Sequence, residues 1–561
     1  MSDLVTNLLS KRGITSAEEV ERFLNPGYER DTHSPFLLEG MERAVSRVFA
    51  AMAQNEHIAV YADFDCDGIP GAAVLWDFFK KVGYENFEVY IPHRDREGYG
   101  FHTEAIEELS KEGVSLIITV DVGTNALGAI AFAKTCLPAG REKGIDVIVT
   151  DHHEVTGALP ECVAVLNPKM ADYPFRDLCG AAVAFKLVQA MLAEGKKRSL
   201  EAFTKIPEGW EKWLLDMVAL ATIADLVPLV GENRVLAHFG LKVLRKSQRP
   251  GILALVNRLR LRGRELTEDD IAFSIAPRIN AASRMDEPEL AFRLLTTPDS
   301  READRLAAHL EELNAKRKTA VAAIVKVAKR TARTRFRSDE RIIVLGSPEW
   351  KPALMGLVAN SIMEDRGGVV CMWGRDAMGR IKGSCRSDGS LSVVELFASA
   401  RDAFVEFGGH ARSGGFTVSH EKVHKLHEAL VAASSSLAIT GVEVRESDAR
   451  IALSELTESL FDDVSRLAPF GIGNPKPVFL VSSITVSSIR RFGRDNNHVE
   501  VMVSCEHTGS FMRTFDFFNS PEGFMHTPAV GNAIRLLATV EKDNYRGGIA
   551  LRLADVLPAS P

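Results

Sequence analysis

From Ile58 to Leu166 the chain alternates short, continuously apolar runs with amphipathic stretches of helical period, which predicts strands at 58–62, 87–91, 116–120, 145–149 and 162–166 separated by helices. Strands uninterrupted by polar residues are buried on both faces, so this alternation implies a parallel α/β sheet covered by helices. Residues 1–55 read as a small helical cap of short amphipathic segments around Pro26-Gly27. Helical periodicity dominates from 181 to 335 and includes a proline-free run, 301–330, rich in Ala, Leu, Lys and Arg, that can bridge two domains. A second α/β pattern opens at Ile342-Ile343-Val344-Leu345 and closes near 438, with glycine-rich turns expected at Gly367-Gly368 and Gly408-Gly409. Beyond 443, short alternating segments at 477–480, 498–503 and 533–540 predict a small β-barrel of OB type. The expected division is thus 1–55, 56–235, 236–340, 341–440 and 445–558.

Length and composition agree with several globular domains. A chain of 561 residues exceeds what one core supports, and 46% apolar with 25% charged residues is ordinary for folded proteins. There is no apolar run of membrane-spanning length, and the opening Met1-Ser2-Asp3-Leu4 has no basic start followed by an apolar stretch, so no membrane association and a cytoplasmic address are expected. Seven cysteines, at 66, 136, 162, 179, 371, 385 and 505, lack paired metal spacing and read as reduced thiols; Cys66 reads as a small core residue. The net charge of −7 disfavours nonspecific binding of polyanions. Local runs run against that balance: ten basic residues stand between Lys316 and Arg341 against Asp339 and Glu340, and a second run extends from Lys242 to Arg264. Either run alone fits a solvated helix face, whereas two on an acidic protein fit a polyanion track.

Chemistry concentrates where the predicted strands stop. The first runs into Asp63, Asp65 and Asp67, followed by Gly68; the third into Asp121; the fourth into Asp151-His152-His153. The C-terminal strand ends of a parallel sheet share one crevice. Carboxylates gathered there raise one another's pKa, and divalent cations offset the repulsion. Asp225, in the apolar stretch Ala221–Leu229, also needs a partner. Taken singly, Asp63–Asp67 fits an Asp-rich turn and Asp121 a helix cap. Together, with imidazole added, they fit a site for Mn²⁺, Fe²⁺ or Zn²⁺ and a metal-dependent enzyme.

Further motifs follow in order: Ile91-Pro92-His93-Arg94, Glu97-Gly98-Tyr99-Gly100, Pro277-Arg278-Ile279-Asn280-Ala281-Ala282, Lys382-Gly383-Ser384-Cys385-Arg386-Ser387, Phe407-Gly408-Gly409-His410 and Pro469-Phe470-Gly471-Ile472-Gly473-Asn474-Pro475. The set resembles the DHH phosphoesterase superfamily and, within it, the bacterial single-strand-specific 5′ to 3′ exonucleases. That resemblance implies an α/β fold class: a parallel-sheet DHH phosphoesterase domain, a helical connection, a smaller α/β DHH-associated domain and a C-terminal OB-fold β-barrel. It implies two divalent cations, Mn²⁺ or Mg²⁺, bridged by Asp121. The first would also take Asp65, with Asp63 at or just behind it, and the second Asp67, His152 and Asp225. Asp151 would orient His152 through a hydrogen bond, and His153 would face the scissile phosphate. A 5′-phosphate pocket would draw on Arg94 or Arg96, Arg278, Asn280, Ser384, Arg386, Gly409 and His410, arginine forks being suited to phosphate oxygens.

The implied activity is degradation of single-stranded DNA to nucleoside 5′-monophosphates in repair and recombination, by a monomer that works with a helicase and a single-strand-binding protein. A DHH hydrolase of short oligoribonucleotides or cyclic dinucleotides is disfavoured by the terminal barrel, a stacking platform for single strands. A catalytically silent replication scaffold is disfavoured because every proposed metal ligand is present. Lys351, Ser283, Arg412 and Ser413 depart from residues common in the superfamily and bear on the details of the phosphate pocket.

Overall fold

A computed structural model describes residues 2–138, 143–438, 446–493, 496–505, 509–543 and 546–559. The first apolar runs form β1 (His57–Ala62), β2 (Phe87–Tyr90), β3 (Val114–Val120), β4 (Asp146–Thr150) and β5 (Ala164–Leu166). All pairings are parallel, in the order β2-β1-β3-β4-β5, so their C-terminal ends lie along one edge. Every residue of β3 is buried, as a central strand covered on both faces requires. The helix Gly68–Lys81 follows β1 after a turn tight enough that a β-carbon on Gly68 would stand 2.3 Å from the Asp63 carbonyl oxygen. Only glycine allows that return.

The 36-residue helix Ser300–Arg335 carries Glu302 in its first turn and Arg333 and Arg335 in its last, complementing its dipole. Its Ala328 and Ala332 pack in one core with Ile343, Leu345, Met355 and Val358, tying it to a second sheet. This sheet contains β6 (Ile342–Gly346), β7 (Val369–Arg375), β8 (Ile381–Ser387), β9 (Glu406–Gly409) and β10 (Ser413–Val418), ordered β6-β7-β8-β10-β9 and antiparallel except for β6–β7. Gly367 and Gly368 form the expected turn, with φ of 72° and 75°. Gly408-Gly409 does not: both lie in β9, opposite Gly415 and Gly414. Paired glycines read as a turn in sequence, and here they let two backbones approach closely.

Contacts divide the chain into two units, one of residues 33–227 and 239–443, the other of 1–32, 228–238 and 444–561. In the second, β11 (Ala449–Ile451), β12 (Phe479–Phe492), β13 (His498–Cys505), β14 (Ser510–Asp516), β15 (Ala533–Lys542) and β16 (Ile549–Pro558) form the OB barrel, closed by the β12–β15 pairing. The expected N-terminal cap is divided between the units. Val5, Leu8 and Leu9, the apolar face of the helix Asp3–Lys11, sit in the barrel core with Phe479, Leu536 and Val556. Residues 228–238 belong with them: the Arg234 guanidinium donates to the carbonyls of Leu467 and Ala468, each at 2.9 Å, and lies over the Phe23 ring. The junction expected at 440–445 lies outside the described residues. All seven cysteines are free, and among the described residues no helix is long and apolar enough to cross a membrane.

Candidate metal centre and phosphate pocket

The acidic strand ends converge. His152 Nε2 lies 3.1 Å from Asp121 Oδ1 and 3.6 Å from both Asp67 Oδ2 and Asp225 Oδ2. Donor atoms of Asp67, His152 and Asp225 fall within 4.8 Å of one another, as do those of Asp63, Asp65 and Asp121, and those of Asp121, His152 and His153. Each side chain is positioned by its own local structure. Asp65 Oδ1 accepts the Asp67 and Gly68 amides at 2.8 and 3.2 Å, closing the turn after β1. Asp67 caps a second helix, accepting the amides of Gly180 (2.6 Å) and Ala181 (2.8 Å) at the start of Gly180–Lys197. Asp121 stands at the end of β3 with φ of 62°, a left-handed conformation that is costly outside glycine and gathers at functional sites. The helix start packs directly beneath it, so Gly180 is a site residue that the motif pattern did not single out. A glycine opening a helix straight after Cys179 was the available signal.

The electrostatics call for cations. Burial, then the neighbouring carboxylates, pushes Asp63, Asp121 and Asp225 well above the ordinary range, and Asp67 up to about 6. Asp63 Oδ1 and Asp121 Oδ1 are buried with no hydrogen-bond partner. His152, buried and beside His153, is pushed down to about 3 and is neutral at physiological pH. A neutral imidazole whose Nε2 faces three carboxylate oxygens is a donor set that fits a cation, and nitrogen with hard oxygen donors suits Mn²⁺ well.

Asp151 holds a different ring from the one expected. Its Oδ1 lies 2.8 Å from His153 Nδ1, whereas it meets His152 only through the backbone amide at 2.7 Å. Oδ2 accepts the Thr124 amide at 2.8 Å. Burial opposes charge on this pair, yet the hydrogen bond prevails: His153 is pushed up to about 9 and Asp151 lies below the usual carboxylate range. The Tyr99 hydroxyl stands 3.2 Å from the His153 ring nitrogens, and the His410 ring lies 6.4 Å from it, nearly parallel.

The expected phosphate-binding residues divide. Arg94 lies over the Phe64 ring, where the charges of Asp63 and Asp65 act on it. Arg386 and Ser384 face the helix Pro352–Arg366: a β-carbon on Gly356 would stand 2.8 Å from Arg386 Nη2 and 3.5 Å from Ser384 Oγ. Gly409, with φ of 147°, passes too close to Gly414 for a side chain. The Arg96 amide donates to the His93 carbonyl at 3.2 Å, and its own carbonyl accepts from Arg380 at 3.0 Å. Two of the expected residues are engaged by other partners. Arg278 is held by Glu311 at 2.5 and 3.2 Å and by the Ser274 carbonyl, and Asn280 Oδ1 accepts the Cys66 amide at 2.9 Å, bracing the Asp65–Asp67 turn. The residue missed is Arg284, at the end of the same helix, whose charge meets Arg94 and Arg386. Of the departures, Lys351 pairs with Asp286 at 2.6 Å, and the Ser283 hydroxyl donates to the Asn280 carbonyl.

Comparison with known proteins agrees with this organisation. The DHH family N-terminal domain matches residues 57–222, the DHHA1 domain 339–436 and the RecJ OB domain 447–554. The chain is 34% identical over 514 residues to the single-stranded-DNA-specific exonuclease RecJ of Bacillus subtilis, covering 90% of this chain but only 62% of that relative. It is 30% identical to the protein of the same name from Haemophilus influenzae, over 98% of this chain and 95% of the relative. Among solved structures, RecJ of Thermus thermophilus in complex with Mn²⁺ superposes with a TM-score of 0.79 at 27% identity, over 99% of this chain and 75% of that one. Its Mg²⁺ complex gives 0.73 at 26% identity, over 99% and 74%.

Proposed function

The chain belongs to the RecJ family of single-stranded-DNA-specific exonucleases, and we propose that it hydrolyses single-stranded DNA from the 5′ end to nucleoside 5′-monophosphates with two divalent cations, Mn²⁺ or Mg²⁺. The observation that carries this reading is the convergence of Asp63, Asp65, Asp67, Asp121, His152 and Asp225 at one sheet edge, in the same unit as the arginines of the second sheet.

Asp63, Asp65 and Asp121 would hold one cation; Asp67, His152 and Asp225, sharing Asp121, would hold the other. Cations there supply acidification of a water and screening of charge on the reacting phosphate. The residues do the rest. Arg94, Arg386 and Ser384 bind the terminal 5′-phosphate and thereby set which phosphodiester reaches the carboxylates. Water adds to that phosphorus, the P–O3′ bond of the terminal nucleotide breaks, and the next nucleotide keeps the phosphate. His153, held protonated by Asp151, donates a hydrogen bond to a non-bridging oxygen as charge accumulates there. The barrel carries single strand by stacking, in keeping with its exposed aromatic rings.

We place the enzyme in the cytoplasm, as a monomer acting in repair and recombination beside a helicase and a single-strand-binding protein; its free thiols support a reducing compartment. Digestion of matched, end-labelled single-stranded and duplex DNA with Mn²⁺, Mg²⁺ or chelator tests the proposal. Mononucleotide release from the 5′ end of the single strand alone, abolished by chelator, is expected; release from the 3′ end would refute it.

A further inference from the structure

Each of the segments that carry the phosphate pocket also carries one member of an ion cluster outside it. Arg94 is followed by Asp95, Arg284 stands two residues before Asp286, and the helix Pro352–Arg366, whose Gly356 meets Arg386, is preceded by Lys351. Lys351 Nζ lies 2.6 Å from Asp286 Oδ2 and 3.8 Å from Asp95 Oδ2. A return tie runs alongside: Arg284 Nη1 donates to the carbonyl of Ala353, two residues beyond Lys351, at 2.6 Å. The loop that carries Asp95 is held once more at the next residue, where the Arg96 carbonyl accepts from Arg380, the residue before β8.

Local preference accounts for neither residue of the main pair. Lys351 is the N-cap of its helix, a position that favours side chains able to accept from the first-turn amides and where the dipole disfavours a cation. It makes no side-chain cap hydrogen bond. Asp286 has φ of 69°, a left-handed conformation that is costly outside glycine. The two side chains satisfy each other across the boundary between the helix Ala276–Arg284 and the domain of the second sheet, and the one ammonium balances two carboxylates. Without it, Asp95 and Asp286 would face each other as like charges. That repulsion would act on Arg94 through the loop and on Arg284 through the helix end. The Lys351 and Asp286 side chains are 45% and 47% exposed, and a pair so exposed contributes little to stability. Its effect lies in geometry: a small displacement of an arginine fork spoils its hydrogen bonds to phosphate and leaves the fold intact.

We propose that Lys351 is a positioning residue for the 5′-phosphate pocket: it gathers the Arg94 loop and the Arg284 helix end onto the helix that meets Arg386, and so sets the preference for a phosphorylated 5′ end. This rests on the exonuclease reading above. Lys351 acts through those arginines and not on the phosphate itself.

The test measures kcat/KM of the full chain, with Mn²⁺, on one single-stranded oligodeoxynucleotide ending in 5′-monophosphate or 5′-hydroxyl. Lys351→Met, which keeps the stem and removes the charge, is expected to lower the monophosphate-to-hydroxyl ratio at least about threefold, through a higher KM for the monophosphate end rather than a lower kcat. Adding Asp286→Asn, which tolerates the left-handed backbone and removes the repulsion, should recover at least about half of that loss. Both ends are cut by one preparation, so any loss of folded protein cancels from the ratio. A smaller fall in Lys351→Met, a fall carried by kcat, or a smaller recovery in the double variant overturns the proposal. A wild type that cuts neither end would refute the exonuclease reading, and this proposal with it.

Discussion

Gly180 and Asp121 lie so close that a β-carbon on the glycine would stand 2.6 Å from the β-carbon of the aspartate and 2.8 Å from its Cα. The helix that receives the Asp67 carboxylate thus also holds the end of β3 in place. Gly180→Ala is expected to cost about 1–3 kcal/mol through overpacking. By displacing Asp121 it should lower turnover about 100-fold, as shifts near 1 Å do. Thermal melting and single-strand digestion check both effects, and turnover within threefold of the wild type would separate Gly180 from the site.

Asp121→Asn keeps the shape, and asparagine tolerates the left-handed backbone found there, so the variant tests charge alone. Burial and the neighbouring Asp67, Asp65 and Asp63 oppose ionisation of Asp121. The cation-free variant should therefore melt higher than the cation-free wild type. It should also lose most of the Mn²⁺-induced rise in Tm and cleave at least about 1,000-fold more slowly. A variant that still gains the full Mn²⁺ stabilisation would exclude Asp121 as the shared ligand.

Arg386→Ala and Arg278→Ala should part company although both positions are arginines of the expected pocket. The first is predicted to reduce the preference for a 5′-monophosphate over a 5′-hydroxyl end about tenfold. The second should leave that preference intact and destabilise the fold by about 1 kcal/mol, because its fork binds Glu311. Equal loss of preference in both would return Arg278 to the pocket.

That pair shows what was legible in sequence. The strands, the acidic strand ends, the two sheets and the barrel could be read because apolar runs and their polar stops are local. Arg278 and Arg284 sit on one helix, Ala276–Arg284, six residues and therefore about 240° apart. Which one faces the pocket depends on where Glu311 lies on another helix, and no local pattern encodes that phase. The same holds for Asp151, whose choice of His153 over His152 is set by how β4 ends, and for the first helix, whose apolar face matches any core equally well until the barrel is built.

Phe518 is 82% exposed, with φ of 57°, and its amide donates to His498 Nδ1 at 3.0 Å; Arg552 lies over the adjacent Phe517 ring. Phe518→Ala should weaken binding of long single strands by about 1–3 kcal/mol, the worth of one stacked base, while sparing hydrolysis of the shortest substrates and leaving Tm unchanged. Fluorescence anisotropy against strand length decides it; equal loss at all lengths would assign the ring another role. Deleting the barrel is a poorer test, since it would expose Val5, Leu8 and Leu9.

Asp95 gives a pH dependence of stability away from the metal centre. Burial, a hydrogen bond with Asp286 and that residue's charge push its carboxyl up to about 6, with Lys351 opposing. Its ordinary value is near 3.9. The native state therefore favours the protonated form: the contribution is complete below about pH 4 and is lost as pH rises through about 6. Asp95→Asn should raise Tm at pH 7.5 and change it little at pH 4.5. A Tm gain that does not grow with pH would contradict the pairing.

The placement of Val5, Leu8 and Leu9 among Phe479, Leu536 and Val556 has a consequence in time. The first of those partners to be made, Phe479, follows some 470 residues later in the chain. At ribosomal rates of about 5–20 residues per second, the first helix waits roughly 25–95 s for its core. Throughout that interval an amphipathic segment is available to chaperones, to proteases and to other nascent copies. Variants that weaken the barrel should therefore lower the yield of newly made protein more than they lower the stability of protein already folded.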